Sequence, residues 1–531
     1  MEAANTPPTT SANRQIARAA GTVMIAFILS NLVGVVRGMV ITGAFGTTAD
    51  LDSFNAANRI AELLFNLVAG GALGSAFIPI FTGFLVREDR KGAWKLASGV
   101  INLITLILVL ISLLVWVFAP QIVRDGLYVL VPESDPVQID LTVRLLRIML
   151  PSVVIFGISG IVMGMLNAHQ VFLVPAIAPV MYSLGMIFST LVFPKTWGIQ
   201  RLAYGVVLGA LAHLLVQLPR LLRLPQRSWQ FILGLKDKAV REVLILMGPR
   251  VLGAAVVQIN FIANTVIALG QPEGSVSAIT LAFALMLMPQ MAIAQSAAIA
   301  SLPTFSAQVA QGKQDEMRAS LASTLRVVLL LAIPASIGLI LLRVPLVQAL
   351  YQRGEFDANS TQLVAWALLW YAAGLVGHSL VEILSRAFYA LHDTRTPVIV
   401  GVGAMGLNIL LSILLSRAFI RIGWLPHGGL ALANSLATAL ESVVLLVLMS
   451  RRLKGMNGRF IWQGVVQSLL AAAVMAGVLV VWQGLLRSQG ALWQLLGALV
   501  LGLGVYALLV WLMKVPEVRG LLRILRQKLG K

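Results

Sequence analysis

Uncharged apolar stretches of helix length recur from one end of this chain to the other, and that pattern leaves a lipid bilayer as its natural solvent. Val100 to Pro120 and Ala491 to Met513 are two of them, and about twenty such residues are enough to cross the hydrocarbon. Buried strands of soluble α/β proteins are also apolar, but they run only about four to eight residues. The 531 residues are 58% hydrophobic and 11% charged, which is more apolar surface than a soluble core of this length can bury. Runs bounded by Pro, Gly and charge predict fourteen spans, near 16–45, 52–85, 93–118, 142–167, 172–193, 202–222, 242–269, 275–308, 318–341, 363–390, 396–416, 428–449, 463–485 and 491–513.

A net charge of +19 would suggest nucleic acid in a soluble protein, because neutralising phosphates takes surface Lys and Arg. Here the bases collect in short loops between apolar segments, which is how a membrane protein records its orientation, and no nucleic-acid partner is expected. With the N-terminus in the cytosol, the inner loops receive Arg87, Arg90, Lys91 and Lys95, then Arg220, Arg223, Arg227, Lys236, Lys238 and Arg241, then Arg451, Arg452, Lys454 and Arg459. The outer loop at 46–51 has no base, and that at 125–140 holds Glu133 and Asp135. Roughly 25 bases inside against about 10 outside predict a multi-pass protein of the cell (inner) membrane with both termini cytosolic.

The chain has no cysteine, which removes disulfides, thiolate catalysis and Cys-ligated metal together. Its five histidines, His169, His213, His378, His392 and His427, show no pair at the i, i+4 spacing of a helical zinc site, so neither a metal nor another cofactor is expected. No Gly-x-x-x-x-Gly-Lys-[Ser/Thr] loop and no nucleophile–base spacing is present, so neither ATP hydrolysis nor enzyme chemistry is expected. Residues 1–15 read as a disordered cytosolic tail and not a signal peptide. Residues 514–531 read as a basic amphipathic tail that sits on the anionic leaflet, so membrane lipids are partners.

The chain also repeats itself at an offset of 224 residues. Gly46 matches Gly270, Ala76 to Phe81 matches Ala300 to Phe305 with Pro79 over Pro303, and the loop at 167–175 resembles that at 390–397, with His169 and His392 almost in register. Six spans return a chain to the same side, so the halves are parallel repeats, and paired bundles of this kind serve alternating access. The expected fold is an all-α polytopic membrane protein with two six-helix repeat lobes around a central cavity plus two C-terminal helices. Its parts are the N-terminal lobe at 16–222, a basic cytosolic linker at 223–241, the C-terminal lobe at 242–450 and the extra helices at 451–513.

An ionisable side chain at membrane depth costs about 2.5–3.5 kcal/mol on insertion scales, so each needs a partner, a wet cavity or a purpose. Arg37, eight residues before Phe45, and Arg59, seven after Asp52, fall at similar depth if the second helix starts at Asp52. Glu62 follows Arg59 by three residues and can pair with it or reach Arg37. Arg37, Asp52, Arg59 and Glu62 sum to zero charge: they form either a self-compensated network orienting two helices or a site for a polar or anionic headgroup. Asn31 joins them on the first span, Asn260 and Asn264 on the seventh, although amides of this kind often only bridge helices. In the tenth span His378 and Glu382 are four apart and can bond to each other, and Pro289 at the centre of the eighth suggests a kink.

Four stretches, GALGSAFIPIF (71–81), LNAHQVFLVPAIAPV (166–180), LYQRGEFDANST (350–361) and FYALHDTRTPV (388–398), resemble the MurJ (MviN) family of lipid II flippases in the multidrug/oligosaccharidyl-lipid/polysaccharide exporter superfamily. The resemblance implies a V-shaped pair of six-helix lobes, with two C-terminal helices forming a groove for a polyprenyl tail. It implies as cargo an undecaprenyl pyrophosphate glycan. Of the family's first-span pattern Ser30, Gly34 and Arg37 are retained, with Asn31 and Gly38 in place of an Arg and an Asp. Asp52 is retained, whereas Phe65, Gly70 and Ala284 stand where the family has an Arg, a Glu and an Arg. The expected function is a flippase that moves lipid II from inner to outer leaflet by alternating access. The alternatives are export of another polyprenyl-linked glycan or a small cationic compound, and a transport-dead scaffold that recruits other cell-wall synthesis proteins.

Overall fold

The computed structural model describes residues 29–68, 72–131, 135–486 and 490–517, and its regular structure there is helical throughout. Both terminal tails expected from the sequence, 1–15 and all but the first four residues of 514–531, lie outside the described residues. The major helices are α1 (Leu29–Phe45), α2 (Ala49–Val68), α3 (Ala72–Val86), α4 (Arg90–Val117), α5 (Pro136–Ala168), α6 (Leu173–Val192), α7 (Gln200–Leu222) and α8 (Lys238–Leu269). They continue with α9 (Ser275–Ala310), α10 (Gln314–Tyr351), α11 (Ala358–Ala390), α12 (Arg395–Arg421), α13 (His427–Arg452), α14 (Gly458–Leu485) and α15 (Ala491–Leu512).

Eleven of these are long and apolar enough to cross a membrane, and twelve when the two parts of α8 are taken as one span, so the chain is a multi-pass membrane protein. The predicted second span is described as α2 and α3, on either side of residues 69–71, which lie outside the described residues, and α2 is less apolar because it carries Asp50, Asp52, Arg59 and Glu62. With α1 and the α2–α3 pair the helices account for the fourteen predicted spans. Many run past the apolar stretches that announced them. The 38 residues of α10 are about 57 Å long against a hydrocarbon core of about 30 Å, so its ends stand in the interface or beyond. Polar ends of this kind carry no hydropathy signal.

Caps fix where the helices begin. Asp89 accepts from the Gly92 amide at 2.8 Å, Asp135 from Val137 at 2.9 Å ahead of Pro136, and Asp357 from Ser360 at 2.7 Å, each satisfying an orphan amide of a first turn. The Ser360 amide and then its hydroxyl hold the Asp357 carboxyl below the ordinary carboxylate range. A depressed value stabilises the fold above the unfolded-state pKa, and this cap is therefore intact at neutral pH and lost only as pH falls through the lowered value.

Element ends repeat as well as residues. Phe45 and Leu269 end α1 and α8, Val86 and Ala310 end α3 and α9, and Arg90 and Gln314 begin α4 and α10, all 224 apart. Left-handed residues recur at the same offset, Glu88 with φ 58° and Gly312 with φ 71°. By the fifth helix the offset has become 222. The α5 and α11 termini are closed by Gln170 and His392 at φ 59° and 58°, with Val171 N bonded to Leu166 O and Asp393 N to Phe388 O. The structural partner of His392 is therefore Gln170, and that of His169 is Leu391. His169 lies 5.6 Å from Phe81, and Leu391 packs against the apolar cluster that holds Phe305.

The chain forms two compact units, residues 1–266 and 267–531. Within the first, α5 packs on α2, α3, α4 and α7, and α6 on α7. A Cβ built on Gly185 of α6 would collide with the Gly209 backbone of α7, so this crossing depends on small residues. Gly185→Ala is expected to cost about 1–3 kcal/mol, read as a lower melting temperature of the purified protein. Within the second unit α11 packs on α9, α10 and α13, and α10 on α14 and α15. Pro289 in α9 is followed by a π-helical turn at Met291–Gln295, a local widening in the helix where the sequence suggested a kink.

A buried ion pair in the second unit escaped the sequence reading. Arg326 of α10, 3% exposed, lies 3.0 Å from Glu517 beyond α15, donates to Gln467 Oε1 at 2.9 Å and to the Phe460 carbonyl at 3.2 Å, and covers the Phe460 ring. Gly464 leaves room for it, since a Cβ there would stand 2.6 Å from Arg326 Cγ. One guanidinium thus fastens the last two helices to α10.

Candidate functional site

The charged residues singled out on the first two spans all lie in the first unit, on α1 and α2. Arg37 sits eight positions before the end of α1, about 12 Å along the axis, and Arg59 ten positions after the start of α2, about 15 Å. The helix begins at Ala49 and not at Asp52, so Arg59 lies a little deeper than the sequence spacing suggested.

The two arginines have different partners. Arg59 Nη1 is 2.9 Å from Glu62 Oε2, and Asn58 donates to the other oxygen of the same carboxylate at 2.9 Å. The Arg59 guanidinium also stands over the Phe261 ring of α8 at 4.9 Å. Arg37 turns to α6 instead, where Nη1 donates to Ser183 Oγ at 3.4 Å and the guanidinium lies 5.6 Å from the Tyr182 ring. Of the two pairings open to Glu62, the local i, i+3 one is made, and the contacts of Arg37 are a hydroxyl and an aromatic face.

The other candidates are placed less openly. Asp52 is 7% exposed in the first turn of α2, where a carboxylate favours the positive end of the helix dipole. Asn260 is buried, and Asn264 Nδ2 donates to its carbonyl and side-chain oxygens at 2.9 and 3.3 Å, so the two amides bond along α8. Asn31 is exposed on α1. In the second unit Glu382 pairs with Arg386 at 3.1 Å, and His378 bonds Asn434 of α13 at 2.9 Å; His378 and Glu382 do not bond to each other as their spacing allowed.

Where the resemblance called for a further arginine, this chain builds an aromatic row. Phe65 lies 5.5 Å from Phe156 of α5, Phe156 lies 5.2 Å from Tyr182, and the Arg37 guanidinium lies 5.6 Å from the Tyr182 ring. Gly70 is outside the described residues, and Ala284 is exposed on α9. Tyr182, Ser183 and Phe156 were not foreseen. Their signal was slight: a Tyr-Ser pair in the middle of a largely apolar span.

A guanidinium whose described contacts are a hydroxyl and a ring face can accept an oxyanion in forked geometry. The ring faces beside it suit apolar surface. Among the described residues no group of three His, Asp or Glu is arranged to hold a metal ion.

Residues 41–501 match the family model described as lipid II flippase MurJ. The chain is 31% identical over 467 residues to the lipid II flippase MurJ of Burkholderia cenocepacia, covering 85% of this chain and 87% of that protein. It is 30% identical over 468 residues to the probable lipid II flippase MurJ of Rhizobium tropici, covering 85% and 84%. Its fold is similar to that of a lipid II flippase MurJ in an inward closed conformation, with a TM-score of 0.76 over 96% of this chain and 99% of that one at 23% identity. An inward-facing multidrug resistance transporter of the MATE family, in the MOP superfamily, is similar over 82% of this chain and 98% of its own, with a TM-score of 0.67 and 16% identity.

Proposed function

Since the chain belongs to the MurJ family of lipid II flippases, we propose that it carries lipid II, an undecaprenyl pyrophosphate glycan, from the inner to the outer leaflet of the cell membrane. The family is one of transporters and not of catalysts. The protein works by alternating access, with both termini in the cytosol, an orientation supported by the excess of Lys and Arg in alternate loops.

The observation that carries the reading to particular residues is the division of labour between the two arginines. Arg59 is paired with Glu62, whereas the contacts of Arg37 among the described residues are the Ser183 hydroxyl and the Tyr182 ring, and no described ion pair takes up its charge. Asp52, Asn31, Asn260 and Asn264 then act around it as a polar frame, with Asn260 and Asn264 held along their own helix. A chain that lacks other arginines the family resemblance calls for leans harder on the one it keeps.

Growth of cells depleted of their own lipid II flippase tests the proposal. Expression of this chain should restore growth, and a well-expressed protein that restores none would reject lipid II as the cargo. Glu62→Gln gives a finer check. Removing the acid frees Arg59, so retention of lipid II by the purified protein should tighten about two- to fivefold, a small change because the Glu62 side chain is 44% exposed.

A further inference from the structure

The segment between α7 and α8 is neither helical nor loose. Residues 229–237 run along the face of α4 made by Lys95, Ser98, Gly99 and Asn102, which recur at helical spacing. Asn102 Nδ2 donates to the carbonyls of Gln230 and Ile232 at 2.8 and 2.9 Å, the Gln230 amide donates to Ser98 Oγ at 3.2 Å, and Lys95 pairs with Asp237 at 3.0 Å. Gly99 and Gly234, the latter at φ +64°, let the two backbones approach. Asn102 lies seven residues beyond Lys95, the last charge on α4, so the strap reaches roughly 10 Å into the apolar part of that helix. Irregular backbone at such depth needs its polar groups satisfied, and Ser98 and Asn102 do this.

An extended segment alternates its side chains. Carbonyls of Gln230 and Ile232 are tied to α4, while Trp229, Phe231, Leu233 and Leu235 are turned out, with Phe231 93% exposed. Between strap and helices runs a groove of about 570 Å³, walled by Leu106 and Val109 of α4, Ile158 of α5, and Trp229, Phe231 and Leu233. Exposed Arg220, Arg223, Arg227, Lys236 and Lys238 precede and follow the strap along the chain, Arg227 donating to the Leu222 carbonyl, and the one acid of the segment, Asp237, is already paired with Lys95. Apolar groove and uncompensated bases on one short segment match an acyl chain joined to a negative headgroup.

We propose that the α7–α8 strap is a binding site for an anionic phospholipid of the surrounding bilayer, with an acyl chain in the groove beside Phe231 and the phosphate held by Arg223, Arg227 and Lys236. The site is separate from the Arg37 site and does not depend on what the transporter carries. The test places the photo-crosslinking residue p-benzoylphenylalanine at position 231 of the full chain, reconstituted in equimolar phosphatidylcholine–phosphatidylglycerol vesicles. Mass spectrometry of the adducts should show the ratio of phosphatidylglycerol to phosphatidylcholine adducts raised about fivefold above the bulk ratio for each base that engages the headgroup, given about 1 kcal/mol per charge near a surface. R223Q, R227Q and K236Q together should return the adducts to bulk composition while the protein still elutes as a folded species. Adducts in bulk proportion with all bases present, adducts confined to protein, or preferential capture of an added polyprenyl phosphate would each overturn the proposal.

Discussion

Arg37→Ala should reduce lipid II transport at least tenfold and leave the melting temperature of the purified protein nearly unchanged. The side chain makes one long hydrogen bond, 3.4 Å to Ser183, and one ring contact, so the fold loses little when it goes. The cargo loses more. A hydrogen bond to a charged group is worth about 1.5–3 kcal/mol, which is roughly 10- to 150-fold in binding, and no second free arginine on α1 or α2 replaces it because Arg59 is bound to Glu62. Arg37→Lys keeps the charge and loses the fork, and it should fall between the two. Measuring transport and thermal stability on the same preparations separates this account from one in which Arg37 only orients helices, where stability and transport would fall together.

Arg326→Ala is expected to do the reverse, destabilising the protein by about 3–5 kcal/mol through a charge left unpaired in a buried place. Arg326 is 3% exposed and Glu517 16%, and the guanidinium joins α10 to α14 through Phe460 and Gln467 as well as to the segment after α15. Removing both charges, as Arg326→Met with Glu517→Gln, should recover much of the loss, because the penalty comes from the lone carboxylate more than from the missing attraction. Thermal melting of the single and double variants in detergent checks both statements. If the single change left the melting temperature alone, the pair would be no anchor for the last two helices.

The sequence made the spans legible because membrane helices announce themselves by length and apolarity, and the repeat because Gly46, Pro79 and their partners recur at one offset. It missed the change of offset from 224 to 222, and so it set His392 almost in register with His169 when the left-handed closing residue of α5 is Gln170. At the candidate site, spacing along a helix gave the Arg59–Glu62 pair, a local contact. The partners of Arg37 lie some 146 residues away on α6, a distance in sequence that no periodicity encodes. The same holds for Arg326 and Glu517, and for the strap on α4, where Ser98 and Asn102 looked like ordinary polar residues in an apolar helix until the chain they hold was in view.

The most direct measurement is translocation itself. The purified protein in sealed vesicles loaded with fluorescent lipid II on the inner leaflet should expose that lipid to an external probe faster than empty vesicles do. Arg37→Ala, folded and present in equal amount, should bring the rate down at least tenfold. Equal rates for the protein, the variant and empty vesicles would contradict the account.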